Sequence, residues 1–384
     1  MRRIFHPVGQ GAFFSEHFEE TKTPFAVVYD CGSSTLTAKQ RKTKVNSSFK
    51  KGDVIDMLFI SHFHADHING IEFLKQQCDI KNVIIPYLDD EAKALIKVAN
   101  YLEYKFTETE IIDNPENYFG DDSRIIRVRP VGENGVGEGV NIEQPFHVDD
   151  EDSASQSSSG GGTTGGDKTA KTIDSGTPIK SYRIPLWLFI PYNYNMKARS
   201  ALFLAKLDEK GLSVADIDTI EKIEKYKGTL KQVYEFVTGD LNKNSLLLYS
   251  GPISLNQEAM MGTWTYDYPL FFQRLADRRL ACLYTGDADL NEDALVDTLF
   301  HSLAKFKDLI GSFVAAHHGA IKNHSPKIAA HLPNATWQVF SYGTKNTYGH
   351  PSDQVIADLI TPGNFIVRVT EETESLAVFK SLKK

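Results

Sequence analysis

Six of the twelve histidines fall in three short segments whose residue types suit one shared task. SHFHADHING carries His62, His64, Asp66 and His67 within six residues; AAHHGA carries His317 and His318; YGHPS carries His350. Imidazole and carboxylate are the ligands that zinc and similar divalent ions take. His62 and His64, two apart on an extended segment, point the same way and can share one ion. The Asp66–His67 pair, where the chain turns into a helix, is aimed at a second position nearby. LYTGDAD adds Asp287, a lone carboxylate able to bridge two ions. Singly, Asp287 also reads as a turn residue or helix cap, one of His317 and His318 as a packing residue, and His350 as a loop histidine. Together they make a ligand set. His6, His17, His147, His301, His324 and His331 have no such context and read as surface or core fillers.

Strand ends are what such a set requires. RIFHPV, GAFFSEHF and FAVVYDCG read as opening strands, and Asp53 to His62 as a near-continuous apolar strand delivering the first cluster. A helix is expected over Asn69 to Cys78, a strand at NVIIPYL and a helix over Asp89 to Tyr104. LACLYTGD, GSFVAAHHG and WQVFSYG repeat the pattern late in the chain, each strand ending in a candidate ligand segment, with helices over Asp293 to Lys307 and Pro351 to Ile360. Strand ends of one polarity converge on one edge of a sheet. Two strand-rich halves with helices outside predict an α/β chain built as a four-layer αββα sandwich, one domain over 1–384. Two inserts interrupt it. Residues 132–181, glycine-rich and then acidic and Ser/Gly/Thr-rich, are expected to be flexible or disordered. Residues 198–238 read as a helical insert with Leu202, Leu204, Leu207, Ile217, Ile220, Ile223 and Tyr226 as its apolar stripe. Lys39 to Lys51 reads as a polar basic loop.

HxHxDH after a strand, a GD-ending strand and a late histidine resemble the metallo-β-lactamase fold superfamily of binuclear hydrolases. The likeness is closer to the competence-type (ComEC-like) branch of phosphodiesterases and nucleases. Val8 to Gly11 (VGQG), Asp30-Cys31-Gly32, Asn242 to Leu248, Leu283 to Asp287, His317 to Gly319 and Gly349 to Pro351 carry it in order. The resemblance implies two divalent ions, zinc or manganese. It places His62, His64 and one of His317 or His318 on the first, Asp66, His67 and His350 on the second, with Asp287 bridging. Where many superfamily members have a further histidine, this chain has LNKNSLLLYS. Asn242 and Asp30 are expected behind the ligands, Asp30 equally as a turn residue. Asp66, His318 and His350 are the expected catalytic residues, the histidine not on metal protonating a leaving alkoxide. A hydroxide held between the ions would attack DNA or RNA, and Lys39, Arg41, Lys42 and Lys44 are candidates for phosphate contact.

Composition narrows the classes. The net charge of −8 argues against a general polyanion-binding surface. Three scattered cysteines make neither a disulfide framework nor a thiolate zinc site. No apolar run approaches a membrane span and no secretory h-region follows the first basic residues, so a cytoplasmic protein is expected. Two other readings stay open: a hydrolase of small phosphodiesters, lactones or thioesters, and a partner-activated effector subunit of a defence or DNA-processing complex. In the latter the helical insert would dock a protein partner.

Overall fold

The computed structural model describes residues 1–131, 140–150, 170–194, 197–236, 245–255, 259–265, 271–272, 278–360 and 363–383. Among these, two large sheets face one another. The first runs, in spatial order, Ala170–Asp174, Arg124–Arg129, Asn82–Pro86, Met57–Phe59, Phe25–Cys31, Phe13–Phe18, Arg2–Phe5, Ala377–Lys383, Ala259–Trp264, Phe271–Phe272. Its first five strands are mutually parallel and the remainder antiparallel. The second runs Phe365–Val369, Trp337–Ser341, Ile310–Val314, Ala281–Tyr284, Ser245–Pro252, Trp187–Tyr194, Ile179–Lys180, Phe146–His147, its first four strands parallel.

Alternation along the strands divides the core into layers. Phe14, Tyr29 and Phe59 of the first sheet meet Phe189, Leu248, Trp337 and Val339 of the second between the sheets. The opposite residues face outwards. Val28, Leu58 and Val83 pack under Val45, Ile71 and Leu74 of the helices Ala38–Ser48 and Ile71–Gln77. Leu247, Leu283 and Phe313 pack under Val296, Leu299, Val355 and Leu359 of Asp293–Ser302 and Asp353–Leu359. The result is the four-layer αββα sandwich. Arg3 and Glu16 form an ion pair of 2.8 Å, fully buried between the sheets, and Tyr284 from the facing sheet bonds both.

Several expectations are corrected. The apolar run from Asp53 is two strands. Asp53–Ile55 pairs with Cys78–Ile80 in a small separate sheet, and only Met57–Phe59 joins the main one. The break is Asp56, whose carboxylate turns in to accept from the Ala26 amide (2.8 Å) and from Arg183. The basic stretch expected as a loop is largely the helix Ala38–Ser48. It starts at a capping box in which Thr37 and Gln40 satisfy each other's backbone amides. Of the stretch expected to be flexible, 132–139 and 151–169 lie outside the described residues. The rest carries strands: Ala170–Asp174 extends the first sheet, and Phe146–His147 and Ile179–Lys180 extend the second.

The insert folds as helices Lys197–Glu209, Ile220–Lys225 and Lys227–Phe236. Phe203, Leu207, Ile217, Ile223, Leu230 and Val233 bury against Leu95, Val98 and Tyr101 of helix Asp90–Tyr104. Leu202, expected in the stripe, is 41% exposed; Phe203 takes its place. Among the described residues no helix is long and apolar enough to cross a membrane.

Candidate metal centre

The parallel strands of both sheets end at one edge, where ligands of open α/β sheets gather. Met57–Phe59 delivers the segment His62–His67, whose last residues form the short helix Ala65–Ile68. Ala281–Tyr284 delivers Asp287, Ile310–Val314 delivers His317 and His318, and Trp337–Ser341 leads towards His350. The sheets are joined at this edge: the Leu246 amide donates to the Ser61 carbonyl at 2.7 Å.

Two glycine motifs make room for the first cluster. A Cβ on Gly11 would lie 2.4 Å from the Asp66 carbonyl oxygen, and one on Gly32 would lie 2.5 Å from it. The glycines of VGQG and Asp30-Cys31-Gly32 therefore let the backbone of the Asp66 loop lie directly on the first sheet. From the other side Asn100, buried on helix Asp90–Tyr104, clamps the same loop. Its amide donates to the Phe63 carbonyl (2.7 Å) and accepts from the Ala65 amide (3.0 Å).

Asp287 is the centre of the cluster. Its Oδ2 lies 3.6 Å from His62 Nε2 and 3.6 Å from His317 Nε2. Its Oδ1 lies 3.2 Å from His67 Nε2 and 3.9 Å from His318 Nε2. Asp66 Oδ2 stands 3.8 Å from His318 Nε2. His62, His67 and Asp287 offer donor atoms within 4.8 Å of one another, as do Asp66, His67 and His318. Both adjacent histidines thus face the centre, where extended backbone would send them apart. His317 (φ 47°) and His318 (φ 59°) are left-handed, so the chain turns at each instead of alternating.

A ring of acceptors behind the imidazoles fixes their tautomers. His67 Nδ1 is 2.8 Å from Asp30 Oδ2, and His318 Nδ1 is 2.8 Å from the Ser341 carbonyl. His317 Nδ1 is 3.0 Å from Asn323 Oδ1, an amide whose nitrogen already donates to the Asp287 carbonyl. His62 Nδ1 is 2.9 Å from Ser61 Oγ, whose own hydrogen goes to Asp30 Oδ2 at 2.6 Å. Each Nδ1 faces an acceptor and so carries its hydrogen; His62, His317 and His318 then aim an Nε2 lone pair inwards, while His67 Nε2 shares a hydrogen with Asp287 Oδ1 that an ion would displace. His62 Nε2, His318 Nε2 and Asp66 Oδ1 are buried without a hydrogen bond. Buried polar atoms are normally paired, so these inward lone pairs fit a divalent ion.

Electrostatics agree. Burial pushes the Asp287 carboxyl up, but His67, His317, His318 and His62 together hold it well below the usual carboxylate range. Asp66 is likewise raised by burial yet held low overall by His318 and His67. Burial, then His67, keeps the His62 imidazole well below its ordinary value and hence neutral. His67 behaves oppositely: burial lowers it, but Asp287 and Asp30 on its two sides raise it well above.

The remaining expected residues sit further out. His64 stands beside His62, ring centroids 4.9 Å apart, and lines a cleft of about 450 Å³ over the cluster. His350 lines it too, 5.2 Å from the His317 ring, and belongs to neither of the tight donor groups. Asn242 lies outside the described residues. Lys39, Arg41, Lys42 and Lys44 do not line the cleft. Arg41 instead donates to the carbonyls of Leu36 (2.5 Å), Asn69 (3.2 Å) and Ser33 (3.3 Å). Among the described residues the cation that lines the cleft is Lys322, with Gln10, Glu103, Tyr104 and Tyr348. These, with Ser61, Asn100 and Asn323, were not read from the sequence. Ser61 in SHFHADHING, Gln10 in VGQG and Tyr348 in YGHPS stood inside the motifs and could have been found there.

Residues 25–215 match the Metallo-beta-lactamase superfamily. No match is found among curated proteins. Among solved structures, the crystal structure of a long form RNase Z from yeast is similar over 82% of this chain at 10% identity, with a TM-score of 0.29. The likeness spans 32% of that chain, about a third of its length.

Proposed function

We propose that this chain, which carries a metallo-beta-lactamase superfamily domain, is a metal-dependent hydrolase that cleaves phosphodiesters, with a nucleic acid as substrate. One observation carries the reading: Asp287 divides its two oxygens between two sets of imidazoles. His62 and His317 on Oδ2, with His64 alongside, would hold one ion. Asp66, His67 and His318 on Oδ1 would hold a second. A histidine and carboxylate set of this kind suits zinc or manganese. Two such ions, when bound, supply Lewis acidity that lowers the pKa of water and offsets the charge of a phosphate.

The chain's own residues do the rest. Asp30, Ser61, Asn323 and the Ser341 carbonyl keep the outer nitrogens protonated, so the donors are oriented before anything binds. Lys322, at the cleft, balances charge on an anionic substrate. Burial, with Asp66 and Glu103 adding to it, raises the Tyr104 phenol, which therefore stays protonated as a hydrogen-bond donor to a phosphate oxygen. His350, on the cleft side of His317, is placed to protonate the departing ester oxygen.

The test is hydrolysis of bis(p-nitrophenyl) phosphate by protein loaded with zinc or manganese, wild type beside Asp287→Asn. Hydrolysis that needs the metal and disappears in the variant is expected. Metal-loaded wild type that leaves the diester intact would overturn the phosphodiesterase reading.

A further inference from the structure

The mouth of the cleft carries apolar surface that the chemistry at its floor does not require. Tyr348 is 66% exposed and Ile321 47% exposed, and both line the cleft beside Asp66 and His317. The Tyr348 ring lies along that of His350, centroids 5.7 Å apart at 27°. His350 in turn meets His317 edge-on at 5.2 Å. A row of rings therefore runs from the solvent to the donor cluster, and its outermost member is open to water. Lys322 stands at the same cleft.

We propose that Tyr348 is a stacking platform for a nucleobase and that the chain therefore acts on single-stranded nucleic acid, an inference that rests on the phosphodiesterase reading above. A nucleotide unit joins a flat π-face to a phosphate. The cleft offers a flat ring at its mouth, a donor cluster at its floor that would hold divalent ions and through them attract a phosphate, and a lysine for a neighbouring phosphate. Base–aromatic stacking tolerates any sequence, because every base has a face. In a duplex those faces are covered by neighbouring pairs, so only an unpaired base can lie on Tyr348. An acyl chain would need an apolar channel, whereas this cleft is lined by Asp66, Glu103 and Lys322.

The test is binding of a fluorescent phosphorothioate oligonucleotide by the metal-loaded full chain, compared for wild type, Tyr348→Ala and Tyr348→Trp. Stacking contributes about 1–3 kcal/mol per base, so Tyr348→Ala is expected to weaken single-strand binding about 5- to 150-fold. Tyr348→Trp should keep it, and an abasic strand should bind wild type and Tyr348→Ala alike. Unchanged binding in Tyr348→Ala overturns the platform. A duplex or abasic strand bound by wild type as tightly as the single strand also overturns it, and a cyclic mononucleotide bound equally well overturns the strand as substrate. Hydrolysis of bis(p-nitrophenyl) phosphate by the same wild-type preparation separates the two levels. If the diester is cleaved while Tyr348→Ala binds normally, the platform alone is wrong; if it is not cleaved, the reading beneath is wrong and the platform falls with it.

Discussion

Asp30→Asn should cripple the metal centre without touching a donor atom. Asp30 has φ 56°, a left-handed conformation that asparagine tolerates as aspartate does, so the backbone is spared. Its Oδ1 accepts from the Ser61 amide at 2.7 Å, while Oδ2 accepts from His67 Nδ1 at 2.8 Å and Ser61 Oγ at 2.6 Å. In the variant the Ser61 amide still needs an oxygen, which pins the new NH2 where Oδ2 was. That group can only donate, so His67 Nδ1 must become an acceptor and the ring holds its hydrogen on Nε2, the atom 3.2 Å from Asp287 Oδ1. Metal can return only if the tautomer reverses and two donors are left face to face in a buried site. An unsatisfied buried donor costs about 1–3 kcal/mol, or roughly 5- to 150-fold in dissociation constant. Loss of a carboxylate behind a ligand histidine typically costs about 10–100-fold, within the same range. The assay is competition for zinc against a chelator of known affinity, with thermal unfolding of the metal-free proteins checking that the fold is intact. Wild-type zinc affinity in a folded Asp30→Asn protein would refute the reasoning.

Three further outcomes follow from other contacts. Asn100→Leu leaves the Phe63 carbonyl and Ala65 amide buried without partners; it should lower urea stability by about 2–4 kcal/mol and weaken metal binding. Arg3→Met strands the Glu16 carboxylate between the sheets and should cost about 3–5 kcal/mol, whereas Arg3→Met/Glu16→Leu should cost much less than the sum of its single changes, a double-mutant cycle read by denaturant unfolding. Burial first, then Arg2, lowers His17 to about 4, and it is linked through Ser15 to the buried His6. The unfolded chain takes up that proton near 6.5 and the folded one only near 4. Stability is therefore complete above the unfolded value and is lost on acidification, by about 2 kcal/mol from pH 7 to pH 5 for His17 alone. His17→Gln should shrink that loss in melting curves recorded across the range.

The sandwich and the ligand segments were legible because each rests on local signals: apolar runs of strand length ending in histidine or aspartate. The assignment of donors was not. Adjacent His317 and His318 looked mutually exclusive while both were pictured on extended backbone. Their left-handed conformations, which no spacing rule announces, bring both to Asp287. Asp30 was expected behind a ligand histidine, but not which one, since Asp30 and His67 are remote in sequence and only the parallel pairing of Phe25–Cys31 with Met57–Phe59 brings their strand ends together. The helix Ala38–Ser48 was missed although its capping box is plain in Thr37-Ala38-Lys39-Gln40. Only Val45 among its residues is buried, so no apolar periodicity marked it. In the stretch expected to be flexible, low-complexity composition masked the short runs at Phe146, Ile173 and Ile179, which bury only because existing sheet edges receive them.

The donors around Asp287 come from both halves of the sandwich: His62, Asp66 and His67 leave the first sheet, while Asp287, His317 and His318 leave the second. The centre therefore works as a caliper, its jaws the two strand-end edges and its reading the alignment of one sheet against the other. The Arg3, Glu16 and Tyr284 knot acts as the set-screw, a polar key that sliding would unlock. A displacement of 1 Å at reacting groups can cost about 100-fold in rate. Substitutions deep between the sheets, far from any donor atom, will thus be read at the centre as a change of gap.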